Sequence, residues 1–96
     1  MPEMLFHIVW PDGAREACYS PSLVIKDHLV VGQSYELPDF LARGRAALHI
    51  ASERVRARYG FACSRALGQL DRLERAATRF AADPAAAVTI ERFEDL

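Results

Sequence analysis

No apolar run in these 96 residues approaches the roughly 20 that a membrane-spanning helix needs, so no membrane partner is expected. Glycines occur singly, and neither G-x-G-x-x-G nor G-x-x-x-x-G-K-[ST] is present, which removes the common phosphate-cradling loops. Only two cysteines occur, and C-x-x-C, H-x-x-x-H and H-E-x-x-H spacings are all missing, so no structural metal and no cofactor are expected. The opening "MPEMLFHIVW" lacks a basic n-region and reads as a strand instead of a signal peptide. Cytoplasmic localisation and reduced thiols follow as expectations, without a Cys18–Cys63 disulfide. Lysine is nearly absent too: Lys26 stands alone beside eleven arginines.

What is present is ordinary globular composition, about half hydrophobic and a quarter charged, with a net charge of −1. The charge is unevenly spread. Residues 43–79 hold nine arginines against Glu53, Asp71 and Glu74, a local +6, while the two flanking segments are acidic. Such a chain either neutralises itself on folding or offers a basic face to a partner.

Residues 4–10, "MLFHIVW", are aromatic and β-branched and predict a buried strand. Pro11-Asp12-Gly13 is a turn, and "AREACYS" returns as a second strand, with Phe6 near Cys18 and His7 near Ala17. A short helix is expected over 22–28, capped by Ser20 or Ser22, and a brief extended piece over 34–37, ended by Pro38. Asp39 is then the expected N-cap of a long helix whose stripe is Leu41, Leu48, Ala51, Val55 and Tyr59, beside Phe40 and Ala47. Gly60 ends that helix. A second helix from Ser64 to Ala81 carries Ala66, Leu70, Leu73, Ala77 and Phe80, and Asp83-Pro84 stops it. Val88 to Phe93 reads as a strand. The fold class is α+β: one domain over residues 1–96, an N-terminal β-hairpin plus a C-terminal strand, covered by an antiparallel pair of amphipathic helices.

Little of this resembles chemistry. In "RYGFACSRA", Gly60 ends one helix, Phe61 is expected to pack under the corner, and Ser64 to cap the next helix. Cys63 falls at or just before a helix N-terminus, between Arg58 and Arg65, where a thiolate is favoured. A catalytic thiol also needs a base and room for substrate, and no Cys-His spacing supplies one. The structural reading of Cys63 is therefore preferred, as it is for the mid-strand Cys18. His7, His28 and His49 are scattered, and the terminal Glu91, Glu94 and Asp95 read as a solvated end. The arginines spread around both helices, and overall acidity weighs against general nucleic-acid binding.

At "MPEMLFHIVWPDG", "ACYSPS", "FLARGRAALHIASERVRARYGFACSRALGQLDRLE" and "VTIERF", the chain resembles a family of small bacterial nitrogen-starvation-response proteins. Members are typically encoded beside a nitrilase, a flavin-dependent oxidoreductase, a radical-SAM protein and an acetyltransferase. The resemblance implies an accessory role in nitrogen scavenging from nitriles or cyanide, and it implies no reaction and no catalytic residue. "YSPS" and "YGFACS" are its most distinctive segments and the best candidates for a shared interaction or ligand surface.

The leading expectation is a non-enzymatic, protein-binding accessory domain that associates with itself as a homodimer and with enzymes of the same pathway. Its candidate binding residues are Arg58, Tyr59, Phe61, Cys63, Ser64 and Arg65. Two alternatives stand beside it: a small thiol-dependent enzyme or ligand binder using Cys63, and an arginine-mediated nucleic-acid-binding regulator.

Overall fold

The computed structural model describes residues 2–96. Strands β1 (Met4–Val9) and β2 (Arg15–Ser20) form the expected hairpin, in the register Phe6 opposite Cys18 and His7 opposite Ala17. The loop works as its residues require. Gly13 takes φ +86°, its N–H donates to the Trp10 carbonyl at 2.8 Å, and the Asp12 carboxylate accepts from the Ala14 N–H at 3.0 Å.

The C-terminal strand β4 (Ala87–Asp95) pairs antiparallel with the other edge of β1, and a short edge strand β3 (Ser34–Glu36) pairs with β4. The sheet order is therefore β2-β1-β4-β3. The extended piece expected near 34–37 is this fourth strand. Along β1 the pleat is regular: Met4, Phe6 and Ile8 are buried, while Leu5, His7 and Val9 are half-buried on the other face. β4 cannot keep that period, because Ile90 and Phe93 are three residues apart. A bulge between His7 and Ile8 of the β1 pairing absorbs Glu91, so Ile90 faces Ile8 and Phe93 faces Phe6.

Between β2 and β3, residues Leu23–Asp27 form a 3-10 helix capped by Ser22, whose Oγ accepts from the Val24 N–H at 3.2 Å. The long helix α1 spans Leu37–Tyr59 and begins earlier than the Asp39 cap would place it. Pro38 sits in its first turn, where a missing N–H costs nothing. The Leu37 N–H donates to the Ala86 carbonyl at 3.0 Å, so the chain entering β4 does the capping. Asp39 instead pairs with Arg43 at 3.1 Å one turn on.

The buried face of α1 runs through Leu37, Phe40, Gly44, Ala47, Leu48, Ala51 and Ser52. The expected Leu48 and Ala51, with Phe40 and Ala47 beside them, lie on it, whereas Leu41 and Val55 are half-buried and Tyr59 is exposed. The helix α2 (Ser64–Ala77) buries Ala66, Gln69, Leu70, Leu73 and Ala77, then tightens into a 3-10 turn over Thr78–Phe80. Gly44 lies opposite Leu73, where a Cβ would stand 3.9 Å from Cδ1. Both helices cover the Met4, Phe6 and Ile8 face, sealing a core that also holds Cys18, Val88 and Ile90.

One mismatch of lengths shapes the rest. A 23-residue helix runs about 34 Å, whereas the six-residue β1 and β2 run about 20 Å and the nine-residue β4 about 30 Å. At the start of α1 the sheet lies beneath it, and Trp10 packs edge-on to Phe40 and stacks on Phe80 at 5.9 Å. At the other end α1 overhangs, and no residue from Glu53 to Phe61 is buried.

Candidate functional site

The overhang makes the corner between α1 and α2. Gly60 closes α1 at φ +87°, donating its N–H to the Arg56 carbonyl at 2.8 Å. Phe61 does not pack under the corner as the sequence suggested; it is 70 % exposed. Tyr59 is 53 % exposed, with the Arg58 guanidinium 5.7 Å from its ring centroid. Nor does Ser64 cap α2. Cys63 occupies the cap position, Ser64 is already helical, and no side chain caps the helix. The Cys63 N–H is instead taken by Ser52 Oγ of α1 at 3.2 Å, which ties the corner back to the buried face.

"YSPS" arrives from the far edge of the sheet. The Tyr19 N–H, at the free edge of β2, donates to Gln69 Oε1 at 2.9 Å, so α2 covers that edge. Ser20 Oγ donates to the Ser22 carbonyl at 2.7 Å around a buried Pro21, and Arg54 Nη1 donates to Ser22 Oγ at 3.0 Å. These bonds fix the turn against the last turns of α1. The two distinctive segments of the sequence thus meet in one cleft of about 220 Å³, lined by Glu3, Tyr19, Pro21, Val55, Tyr59 and Cys63.

Electrostatics within the cleft are local. The Arg65 guanidinium lies 3.8 Å from the Tyr19 ring centroid and reaches Glu3 Oε2 at 3.5 Å. Burial first, then a hydrogen bond to Glu3 and that carboxylate's charge, push the Tyr19 hydroxyl up to about 12. Tyr19 is therefore neutral at physiological pH and cannot serve as a base for the thiol.

Of the six candidates, Tyr59 and Cys63 line the cleft, Arg65 closes one side through Tyr19 and Glu3, and Arg58, Phe61 and Ser64 stand outside it on the corner. The sequence did not mark Glu3 or Val55 as cleft residues. Glu3 arrives because its carbonyl accepts from the Leu96 N–H at 3.1 Å, a consequence of pairing the chain ends through β1 and β4.

The remaining candidates lie apart. Cys18 is fully buried, and burial, helped by the charge of Glu16, raises its thiol pKa far above the usual range. His7 faces away from the helices and contacts Glu94 Oε1 at 2.9 Å; this hydrogen bond lowers the Glu94 pKa. His49 is exposed and His28 half-buried, and the described residues contain no His/Cys/Asp/Glu group suited to a metal. Among the described residues, no helix is long and apolar enough to cross a membrane.

The arginines divide into two sets. Arg43, Arg45, Arg56, Arg65, Arg75 and Arg79 each lie within 4.0 Å of a carboxylate, and three of those carboxylates, Glu3, Asp12 and Asp39, come from the acidic N-terminal segment. Arg54, Arg58 and Arg72 have no such partner among the described residues, and the first two belong to the corner. The basic middle of the chain is largely neutralised by folding, and its residual charge gathers around Tyr59 and Phe61.

The family model described as "Nitrogen starvation-induced protein NitG" matches residues 5–93, nearly the whole chain and both segments that form the cleft. No curated protein and no solved structure matches the chain.

Proposed function

The chain belongs to the nitrogen starvation-induced NitG family, and we propose that it serves as an accessory, protein-binding domain in the metabolism of nitrile or cyanide nitrogen. It docks an enzyme of that metabolism through the α1–α2 corner. The observation that carries this reading is the exposure of Tyr59 and Phe61 on a rigid corner flanked by Arg54 and Arg58. Aromatic and arginine side chains supply most hot spots of protein interfaces, and a helix end fixed by its own hydrogen bonds loses little entropy on docking. The complementary surface is apolar at its centre and acidic at its rim.

The cleft behind the corner favours a contact role for Cys63 over a catalytic one. It contains no histidine, its Tyr19 holds its proton to about 12, and its carboxylate, Glu3, is shared between Arg65 and Tyr19. Pairing of six of the nine central arginines leaves the nucleic-acid reading with a small footprint.

Affinity capture from nitrogen-starved cells tests the proposal, comparing the wild type with a Tyr59→Ser/Phe61→Ser double variant. An enzyme acting on carbon–nitrogen bonds should be retained by the wild type and lost by the variant. Equal retention by both, or retention of no such enzyme, would sink it.

A further inference from the structure

We infer that the corner also docks a second copy of this chain, seating Phe61 in an apolar cleft at the opposite end of the helix pair. The inference rests on the reading of the corner as a docking surface and names a second occupant for it. The receiving cleft encloses about 560 Å³ between the start of α1 and the end of α2, within the range of natural binding pockets and ample for an aromatic ring. Leu41, Ala77, Phe80 and Pro84 contribute apolar walls, and Glu36 and Asp83 lie at its border. Neither carboxylate has a lysine or arginine within 4.0 Å among the described residues. The cleft is thus apolar inside and acidic outside.

The corner is its complement, with Phe61 and Tyr59 projecting and Arg54 and Arg58 free of carboxylate partners among the described residues. Within one chain the two cannot meet, because the length of α1, about 34 Å, separates them. Between two chains the contact would remove the most exposed aromatic side chain from water. It would also bring two arginines to two carboxylates that have no lysine or arginine partner among the described residues; Asp83 Oδ1 accepts only from the Ala85 N–H at 2.9 Å. Opposite charges on the two surfaces favour corner-to-cleft docking, whereas corner-to-corner docking would place like charges together.

Complementation between purified full-length variants decides this. Phe61→Ser disables the corner and leaves the cleft; Leu41→Arg fills the cleft and leaves the corner. By sedimentation, wild-type mass should rise with concentration. Each variant alone should associate at least about 30-fold more weakly, the loss expected for an interface hot spot. An equimolar mixture should recover association, with both labels in one species, because the intact cleft of one chain receives the intact corner of the other. The exposed pair Arg58→Glu and Glu36→Arg repeats the test without touching the core: each alone is weakened, and their mixture is restored. A monomeric wild type, a Phe61→Ser chain that associates like the wild type, or a mixture that stays as weak as its components would overturn the inference. Capture of an enzyme by a chain that is monomeric would overturn self-docking alone. Self-association without enzyme capture would instead overturn the accessory reading.

Discussion

The two ends of the helix pair carry similar aromatic residues and put them to opposite use. Where α1 begins, Trp10, Phe40 and Phe80 pack on one another over the sheet, and the Trp10 indole N–H donates to Glu16 at 2.9 Å. Where α1 ends, Tyr59 and Phe61 stand in water beside arginines. What differs is support: Trp10 lies among Phe40 and Phe80 at the start of α1, whereas the far end of α1 meets the strands only at the end of β2 and the turn that follows it. Burial here follows from relative element length more than from residue type, and the surplus of helix exposes a surface free to meet another molecule.

The sharpest way to break this comparison uses the two thiols, one at the core and one at the overhang. Cys18 is completely enclosed, so alkylation must wait for unfolding, which for an ordinary small domain suppresses its rate by roughly 10⁴-fold or more. Cys63 lines an open cleft and is half-buried. Native protein should therefore take one label, at Cys63, and the second only in denaturant, as read per cysteine by mass spectrometry. Equal labelling of both in the native state would mean that the sheet end is no better closed than the corner.

Stability offers a second contrast. Trp10→Ala removes a buried ring and its hydrogen bond, and should cost about 3–5 kcal/mol. Phe61→Ala removes a side chain that folding leaves in solvent, and should lie within about 0.5 kcal/mol of the wild type. Urea unfolding monitored by circular dichroism measures both. A large loss at Phe61 would place its ring in the core of an obligate assembly.

Much of the fold was legible because it is local. The hairpin register follows from a three-residue loop with glycine in the left-handed position, and Gly60 marks the end of α1 by the same chemistry. The start of α1 was misplaced because its cap is not a side chain: Ala86, some fifty residues away, supplies the acceptor, and no local pattern encodes it. The placement of β3 beside β4, and the bulge at Glu91, likewise belong to pairings between distant segments. The site was half legible. "YSPS" and "YGFACS" stood out as unusual text, but their meeting depends on Gln69 and Arg54 reaching across to the β2 edge and the turn that follows. The residues around Phe61 carry no local signal for whether its ring packs back or points to solvent, and the ring stays outside the core.

Tyr19 sits on the boundary between the two regimes, and its titration measures how closed that boundary is. An unperturbed tyrosine ionises near 10, and burial first, then Glu3, pushes the Tyr19 hydroxyl up to about 12 in the folded chain. The folded state therefore holds the proton more tightly. Any stability linked to this group is intact below pH 10 and declines as pH rises from there toward 12, because the unfolded chain gives up its proton first. Phenolate absorbance at 295 nm should show one tyrosine ionising late, near 12, and Tyr19→Phe should delete that step. Glu3→Gln should move the step downward, because the carboxylate's hydrogen bond and its charge both help to raise it. A step already at 10 in the wild type would show the cleft open to water, erasing the distinction between a sealed sheet and an exposed corner at the point where they join.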